Sequence, residues 1–522
     1  MNVSSGGTGA ARRRRITITL ACAGVFVAYL PVVTVAVSLP AIQRALGAST
    51  AQLSWVSDAF VLPVAALILT AGVFADVHGR KKIYQVGLAL CAAGAVVALC
   101  ARSVQVVWVG QALAGAGAAA LLPVTLALIS HVVPDPRERG KYIGLWTTCM
   151  MAAMAVPPLI AGVILQHVEW RWIFLLPVPV SLLTMAVAAR LLDESRAPGT
   201  RRLDWPGQFT AAAAITALIY GVIEGGAESF SHPRAVAALA VAVVSAAAFV
   251  VVETRSTSPM LDLSLFRSPA FAASTLAALI SFLGLIGFFF VLSLYFGLVQ
   301  QLSTFQSGLR MVLVNVVSML LGVVMGRVMR RVSARVLITA GLLVTAGALL
   351  CLTTIGTDTS FWSVAWRLAL LGLGLGIAFP CLTSTAVAAV PPHRAGMAAA
   401  GNNAFRQVGG ALGPAVLGAL LTVKAIDALP GHLADAGLTG ARARHILETA
   451  DAGGLGAVAR LPLGADTGRA LGAVSEAFLD GLRQCLTISA VLLVLAALAA
   501  AVLLRRPRPV TAPVAVGSRP AP

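Results

Sequence analysis

Four groups of residues in this sequence have the type and spacing to do chemistry, and all lie inside long apolar runs or at their ends. The densest is Gly72-Val73-Phe74-Ala75-Asp76-Val77-His78-Gly79-Arg80-Lys81-Lys82. Gly72 allows close contact between helices and Gly79 permits a tight turn. Asp76, at a helix end, can pair with a neighbouring arginine in one conformation and release it in another. That is the chemistry of a reversible electrostatic contact, not of bond making. A second group is titratable: Asp58 lies one turn inside an apolar run, Glu224 closes another, and Asp76 ends a third. A carboxylate at a membrane-helix centre costs about 2.5–3.5 kcal/mol on insertion scales, so it is normally kept for function. Asp58 and Glu224 are the candidate proton carriers, with a plain interfacial aspartate an equal explanation of Asp58. The third is Arg367, between Trp366 and Leu368, a cation for an anionic substrate group unless it snorkels to the interface with Trp362 and Trp366. The fourth is Trp146 with Met150, Met151 and Met154, a pliable patch that suits a drug cavity and that ordinary packing also explains.

Other chemistries find no support. There is no P-loop for ATP, no His/Cys/Glu cluster with metal spacing, and no histidine beside a nucleophile. Gly115-Ala116-Gly117 and Gly372-Leu373-Gly374-Leu375-Gly376 lie within apolar runs and serve helix packing, not nucleotide phosphates. The seven cysteines, among them Cys22, Cys91, Cys149 and Cys381, read as packing residues without disulfides. Neither a cofactor, a metal nor a catalytic residue is expected, and the chain does not read as an enzyme.

The elements that position these groups follow from composition. Of 522 residues 58% are hydrophobic and 11% charged, against about 25% charged in a soluble domain. Apolar stretches long enough to cross a hydrocarbon core of about 30 Å recur along the chain, and lipid forces each to be helical. They predict helices near 16–39, 53–74, 83–101, 104–129, 141–166 and 170–192, then 207–224 and 235–252. Six more follow near 270–298, 308–329, 335–356, 361–390, 402–424 and 485–504. The net charge of +18 would suggest nucleic acid in a soluble chain. Here Arg12 to Arg15, Arg80-Lys81-Lys82, Arg196/Arg201/Arg202, Arg327/Arg330/Arg331 and Arg505/Arg506/Arg508 fall on alternate loops, which places both termini in the cytoplasm. The expected partners are therefore lipid and a small molecule, not nucleic acid, and the chain reads as a monomer. The segment after Arg12–Arg15 is too long for a signal peptide and reads as a retained first helix.

The spans group as six, two and six: an N-terminal bundle over 1–203, two linker helices over 204–269, and a C-terminal bundle over 270–522. The last contains a long external loop near 425–484, whose mixed charges suggest a solvated excursion with some surface helix. Six-helix halves are a common plan of secondary transporters that rock about a midplane site.

The 72–82 run resembles the signature loop of the major facilitator superfamily, Gly-x-Leu-Ala-Asp-x-x-Gly-Arg-Lys. Trp170-Arg171-Trp172-Ile173-Phe174, Asp204-Trp205-Pro206-Gly207, Leu261-Asp262-Leu263-Ser264-Leu265-Phe266-Arg267 and the Gly396–Gly413 region, with Asn402-Asn403 and Arg406-Gln407-Val408-Gly409-Gly410, resemble its fourteen-helix drug:proton antiporters. Val156-Pro157-Pro158-Leu159-Ile160-Ala161-Gly162 looks like the antiporter motif Gly-Pro-x-x-Gly-Gly, matching at Pro158 and Gly162; a proline kink beside small residues lets helices pivot. The resemblance implies an all-α major facilitator fold with two six-helix bundles and two extra central helices. It implies proton-driven export of amphiphilic drugs or antibiotics across the cell membrane, giving resistance or self-protection. Two positions depart from the family. Pro31 stands where the first helix usually carries an acid, and Gln111 where the fourth usually carries an arginine, which makes Gln111 a cavity candidate. The alternative is therefore a facilitator, or an exporter of one acidic metabolite, without the usual proton coupling.

Overall fold

A backbone immersed in lipid must satisfy its own hydrogen bonds, and these apolar runs do so as helices. The computed structural model describes residues 5–46, 50–196, 204–227, 229–302, 304–391, 394–453, 455–458, 461 and 466–504, and every regular element among them is helical. Fourteen helices of the described residues are long and apolar enough to cross a membrane.

The first six are α1 (Ser5–Leu46), α2 (Thr50–His78), α3 (Arg80–Leu99), α4 (Val104–Val132), α5 (Pro136–His167) and α6 (Pro177–Leu191), and they pack on one another. A second bundle comprises α9 (Pro269–Leu294), α10 (Thr304–Val328), α11 (Ala334–Leu352), α12 (Phe361–Ala388), α13 (Ala395–Asp435) and α16 (Thr467–Leu503). Between them in sequence, α7 (Trp205–Ala227) and α8 (Pro233–Arg255) form a hairpin, and α7 lies against both α2 and α13. The bundles meet where α5 packs on α10 and α2 on α13.

Without a hydrophobic force between helices in lipid, close backbone approach holds them together, and small residues permit it. In α4, Gly115 faces the Phe60 carbonyl of α2; in α12, Gly372 faces the Val314 carbonyl of α10. The two glycine repeats thus seat equivalent helix pairs, one in each bundle.

Several helices run past the expected ends, with α1 opening at Ser5, α13 at Ala395 and α16 at Thr467, whereas the sixth span falls where expected. The sixth span opens with a 3-10 turn, Trp170–Leu175, before α6 starts at Pro177, where proline's missing N–H costs nothing. The described residues near 425–484 are mostly helical, more so than the excursion with some surface helix that was expected. They hold the last quarter of α13, the short helices α14 (Gly440–Gly453) and α15 (Leu455–Val458), and the start of α16. Their mixed charges suggested a loop, but Leu417, Leu421, Ala425, Leu429 and Leu433 form a buried stripe at four-residue spacing that carries α13 past the expected end. His432 Nε2 lies 2.9 Å from Asp480 Oδ2 and ties this extension to α16, while Arg442 reaches Asp466 at 2.5 Å.

Candidate functional site

Functional side chains gather in two places: a contact between the bundles near the ends of the chain, and a buried centre. At the first, α2 stops because Gly79 adopts a φ of 114°, a conformation that L side chains rarely take. The turn is clamped from outside by the tail of α6: Ser195 accepts from the Arg80 N–H at 2.9 Å, and Glu194 Oε1 from the Lys81 N–H at 3.0 Å. Within it Arg80 Nη2 donates to Asp76 Oδ1 at 3.0 Å, with the two side chains 11% and 9% exposed. Asp76 also faces the other bundle. A Cβ added at Gly396, in the first turn of α13, would lie 3.4 Å from Asp76 Oδ2. A carboxylate beside a helix N-terminus is favoured by the partial positive charge there. One turn back, a Cβ at Gly72 would stand 3.1 Å from the Ala400 Cβ, so α2 and α13 are in close contact along this stretch. Arg394 Nη1 holds Asp262 Oδ2 at 2.6 Å and anchors the entry to α13.

The α5–α10 seam closes at the same end. Gly322 faces the Thr148 side chain, and a Cβ at Gly326 would stand 3.1 Å from Lys141 Cα. The end that carries the first residues of α1 and the last of α16 is therefore shut by four helices of two bundles.

The second place is built around Arg406 of α13. The helix starts at Ala395, so Arg406 lies eleven residues in, about 16 Å along the axis from the closed end at about 1.5 Å per residue. It is 3% exposed. Its guanidinium carbon lies 4.2 Å from the Phe282 ring centroid and 5.9 Å from that of Trp146, and Nη2 approaches Met150 Sδ at 2.9 Å. The Tyr29 hydroxyl lies beside the same guanidinium without completing hydrogen-bond geometry, and Arg406 Nε has no acceptor. Trp146 is fully buried and held by its Nε1–H donating to Thr125 Oγ1 at 3.0 Å. Asn402 and Asn403, on the adjoining turn, are buried; Asn402 Nδ2 donates to Thr275 Oγ1 at 3.4 Å, whereas Asn402 Oδ1 and both Asn403 amide atoms are unpartnered.

The residues expected from sequence divide between these places and the periphery. Gly72, Asp76, Gly79 and Arg80 come together at the closed end. Trp146 and Met150 line the centre, and Met154 is buried one turn further along α5. Gln111 is 2% exposed in α4 with neither amide atom bonded. Gly162 is buried in α5; the Pro158 side chain lies outside the described residues. Asp58 is half-buried in α2 and in no ion pair among the described residues. Glu224 pairs with Arg234 at 3.8 Å across the α7–α8 turn. Arg367 is not in the centre. It sits two turns into α12, where it donates to Ser363 Oγ at 2.8 Å and Thr354 Oγ1 at 2.9 Å and lies 5.1 Å from the Trp366 ring, since a long side chain near a helix end reaches the interface.

Sequence reading quoted Arg406 only within a motif and did not weigh it as a site. The signal was an arginine deep in an apolar span, which is by default a functional position. Glu253 was also missed: at the end of α8 it is 4% exposed, accepts from the Leu261 N–H at 3.3 Å and leaves Oε1 unpartnered.

The chain matches the model of the Major Facilitator Superfamily over residues 21–414. It is 31% identical over 505 residues to the multidrug efflux pump LfrA of Mycolicibacterium smegmatis, covering 94% of this chain and 97% of that one. It is 30% identical over 487 residues to the tetracenomycin C resistance and export protein of Streptomyces glaucescens, covering 92% and 90%. The methylenomycin A resistance protein of Streptomyces coelicolor is 31% identical over 406 residues, 78% of this chain and 85% of that one. In structure the chain is similar to the human organic anion transporter MFSD10, with a TM-score of 0.61 at 14% identity over 93% of this chain and 99% of that one, a likeness of fold. By sequence match, fourteen membrane helices and paired six-helix bundles, the chain belongs to the Major Facilitator Superfamily and is a transporter, not an enzyme.

Proposed function

We propose that this transporter exports amphiphilic drugs or antibiotics across the cell membrane, driven by protons, and so confers resistance or self-protection. The observation that carries the reading is the buried aromatic and methionine centre between two bundles that come together at one end through close glycine contacts and the Asp76 carboxylate. Basic residues favour the cytoplasmic side, so the closed end is cytoplasmic in this reading. Substrate enters when the Asp76–α13 and α5–α10 contacts part, and leaves outward when they re-form. The efflux and resistance names of the relatives point the same way. Asp58 is the first candidate for the proton, because Glu224 already has Arg234.

The second reading, a carrier of one acidic metabolite without proton coupling, is favoured by Pro31 and Gln111, which leave two buried positions of the N-terminal bundle uncharged. Cells expressing the chain should accumulate less of some members of a broad antibiotic panel than empty-vector cells. No difference across the panel would sink export. Uptake into inverted vesicles that persists after a protonophore would favour the second reading over the first.

A further inference from the structure

Arg406 differs from the other guanidinium groups inside this molecule. Arg80 has the Asp76 carboxylate, and Arg139, 7% exposed, donates to the Val133 and Pro134 carbonyls at 3.1 and 3.0 Å. Arg406 is more buried than either, yet it is in no ion pair among the described residues. What surrounds it is soft: two ring faces, a thioether and a phenol. A desolvated cation with no counter-charge is expensive to fold around, and it is retained where something else supplies the charge.

We propose that this centre is the recognition site for a planar aromatic ligand bearing an ionised oxygen acid, a carboxylate or a phenolate, with Arg406 as its counter-charge. The inference rests on the export reading and names its substrate class. The guanidinium fork matches a carboxylate in two parallel bonds, and its unpartnered Nε is one of the donors that such a pair uses. Phe282 and Trp146 already present their faces to a flat delocalised group, and Trp146 is held in place by Thr125. A ligand ring can take up those faces when its acid takes the cation. Asn403, three residues before Arg406 and so on the same side of α13, offers a free amide donor and acceptor for the ligand's carbonyl or hydroxyl groups. Met150 is unbranched and can move aside without breaking a hydrogen-bonded network. A cationic drug at this site would face Arg406 as a like charge.

The test uses purified full-length protein in lipid nanodiscs and equilibrium binding of three matched probes: 2-naphthoate, neutral 2-naphthamide and cationic 2-naphthylmethylammonium. Wild type should bind naphthoate at least tenfold more tightly than the amide, and the ammonium most weakly. Arg406→Gln should reduce the naphthoate preference to within twofold while leaving amide binding nearly unchanged, which also reports an intact fold. Arg406→Lys should keep part of the preference, because it keeps charge but loses the fork. Equal affinities in wild type, no saturable naphthoate binding, or a preference that survives in Arg406→Gln would overturn the proposal. The wild-type comparison needs no variant to fold. Drug export from cells with a charge-blind centre would refute the anion site alone; an anion preference without export in cells would refute the export reading alone.

Discussion

Asp76→Asn tests the closed end most directly, and its size can be worked from the contacts. The carboxylate pairs with Arg80 at 3.0 Å and approaches the first turn of α13 near Gly396. The pair with Arg80 lies within one bundle, so it is present whether the bundles are together or apart and cancels from the equilibrium between those states. The approach to α13 crosses the seam. A charge beside a helix N-terminus contributes about 0.3–1 kcal/mol when exposed and up to about 2 kcal/mol in partly buried geometry. With Asp76 9% exposed the upper part of that range applies, which weakens the closed state by roughly five- to thirtyfold at about 1.4 kcal/mol per tenfold. The assay is a spin-label distance distribution between exposed Lys82 in α3 and exposed Arg331 after α10, each replaced by labelled cysteine in a cysteine-free background. The short distance should dominate in the parent, and a longer one should gain in Asp76→Asn. An unchanged distribution would refute the argument that this carboxylate holds the bundles together, and so would a gain in the short distance.

Three further outcomes follow from the same geometry. Gly322→Val places a branched side chain against Thr148, so it should pry α5 from α10, lengthen the same spin-label distance and cut transport at least tenfold; transport near the parental rate would show that this seam need not close. Asp58→Asn should abolish uptake driven by an imposed pH gradient in inverted vesicles, and full retention would remove Asp58 as the carrier. Arg367→Gln should leave transport within twofold, because its partners are Ser363 at the start of α12 and Thr354 just after α11; a tenfold loss would return Arg367 to the substrate path.

Most of the architecture was legible because the bilayer restricts the choices. A run of about 20 apolar residues has one way to cross lipid, and charged residues have few places to lie. The signature loop was legible for a different reason: Asp76, Gly79 and Arg80 act locally, within one turn and its flanking helices. What escaped was non-local. Glu194 clamps that turn from more than a hundred residues away, and no spacing in the sequence announces it. The extension of α13 was present as the stripe from Leu417 to Leu433 but was outweighed by charges on its other faces. Arg367 and Arg406 show the same limit in reverse. Both are arginines within apolar helices, and flanking tryptophans drew attention to the first. Their surroundings decide between them: one reaches hydroxyls near a helix start, the other is buried against the opposite bundle's Trp146 and Met150.

That difference bears on how transport is driven. With Pro31 and Gln111 at two positions where the family carries charge, the group of defined geometry in the buried centre is a cation. If Arg406 receives an anion, the occupied centre is close to neutral, and reorienting the bundles moves little net charge except that of the empty carrier. A monoanion leaving a cell that is negative inside gains about 2.3 kcal/mol per 100 mV of membrane potential, close to a fiftyfold gradient at about 1.4 kcal/mol per tenfold. Such an exporter has a driving force without binding a proton. A cationic substrate would lose the same amount and would need exchange for protons through another residue, with Asp58 the first place to look. Potential-driven efflux of an anion does not exclude a proton carried in exchange, which would add to the same drive. The naphthoate comparison therefore reports the charge of the ligand at Arg406, and loss of pH-driven uptake in Asp58→Asn reports the proton; each can fail without the other.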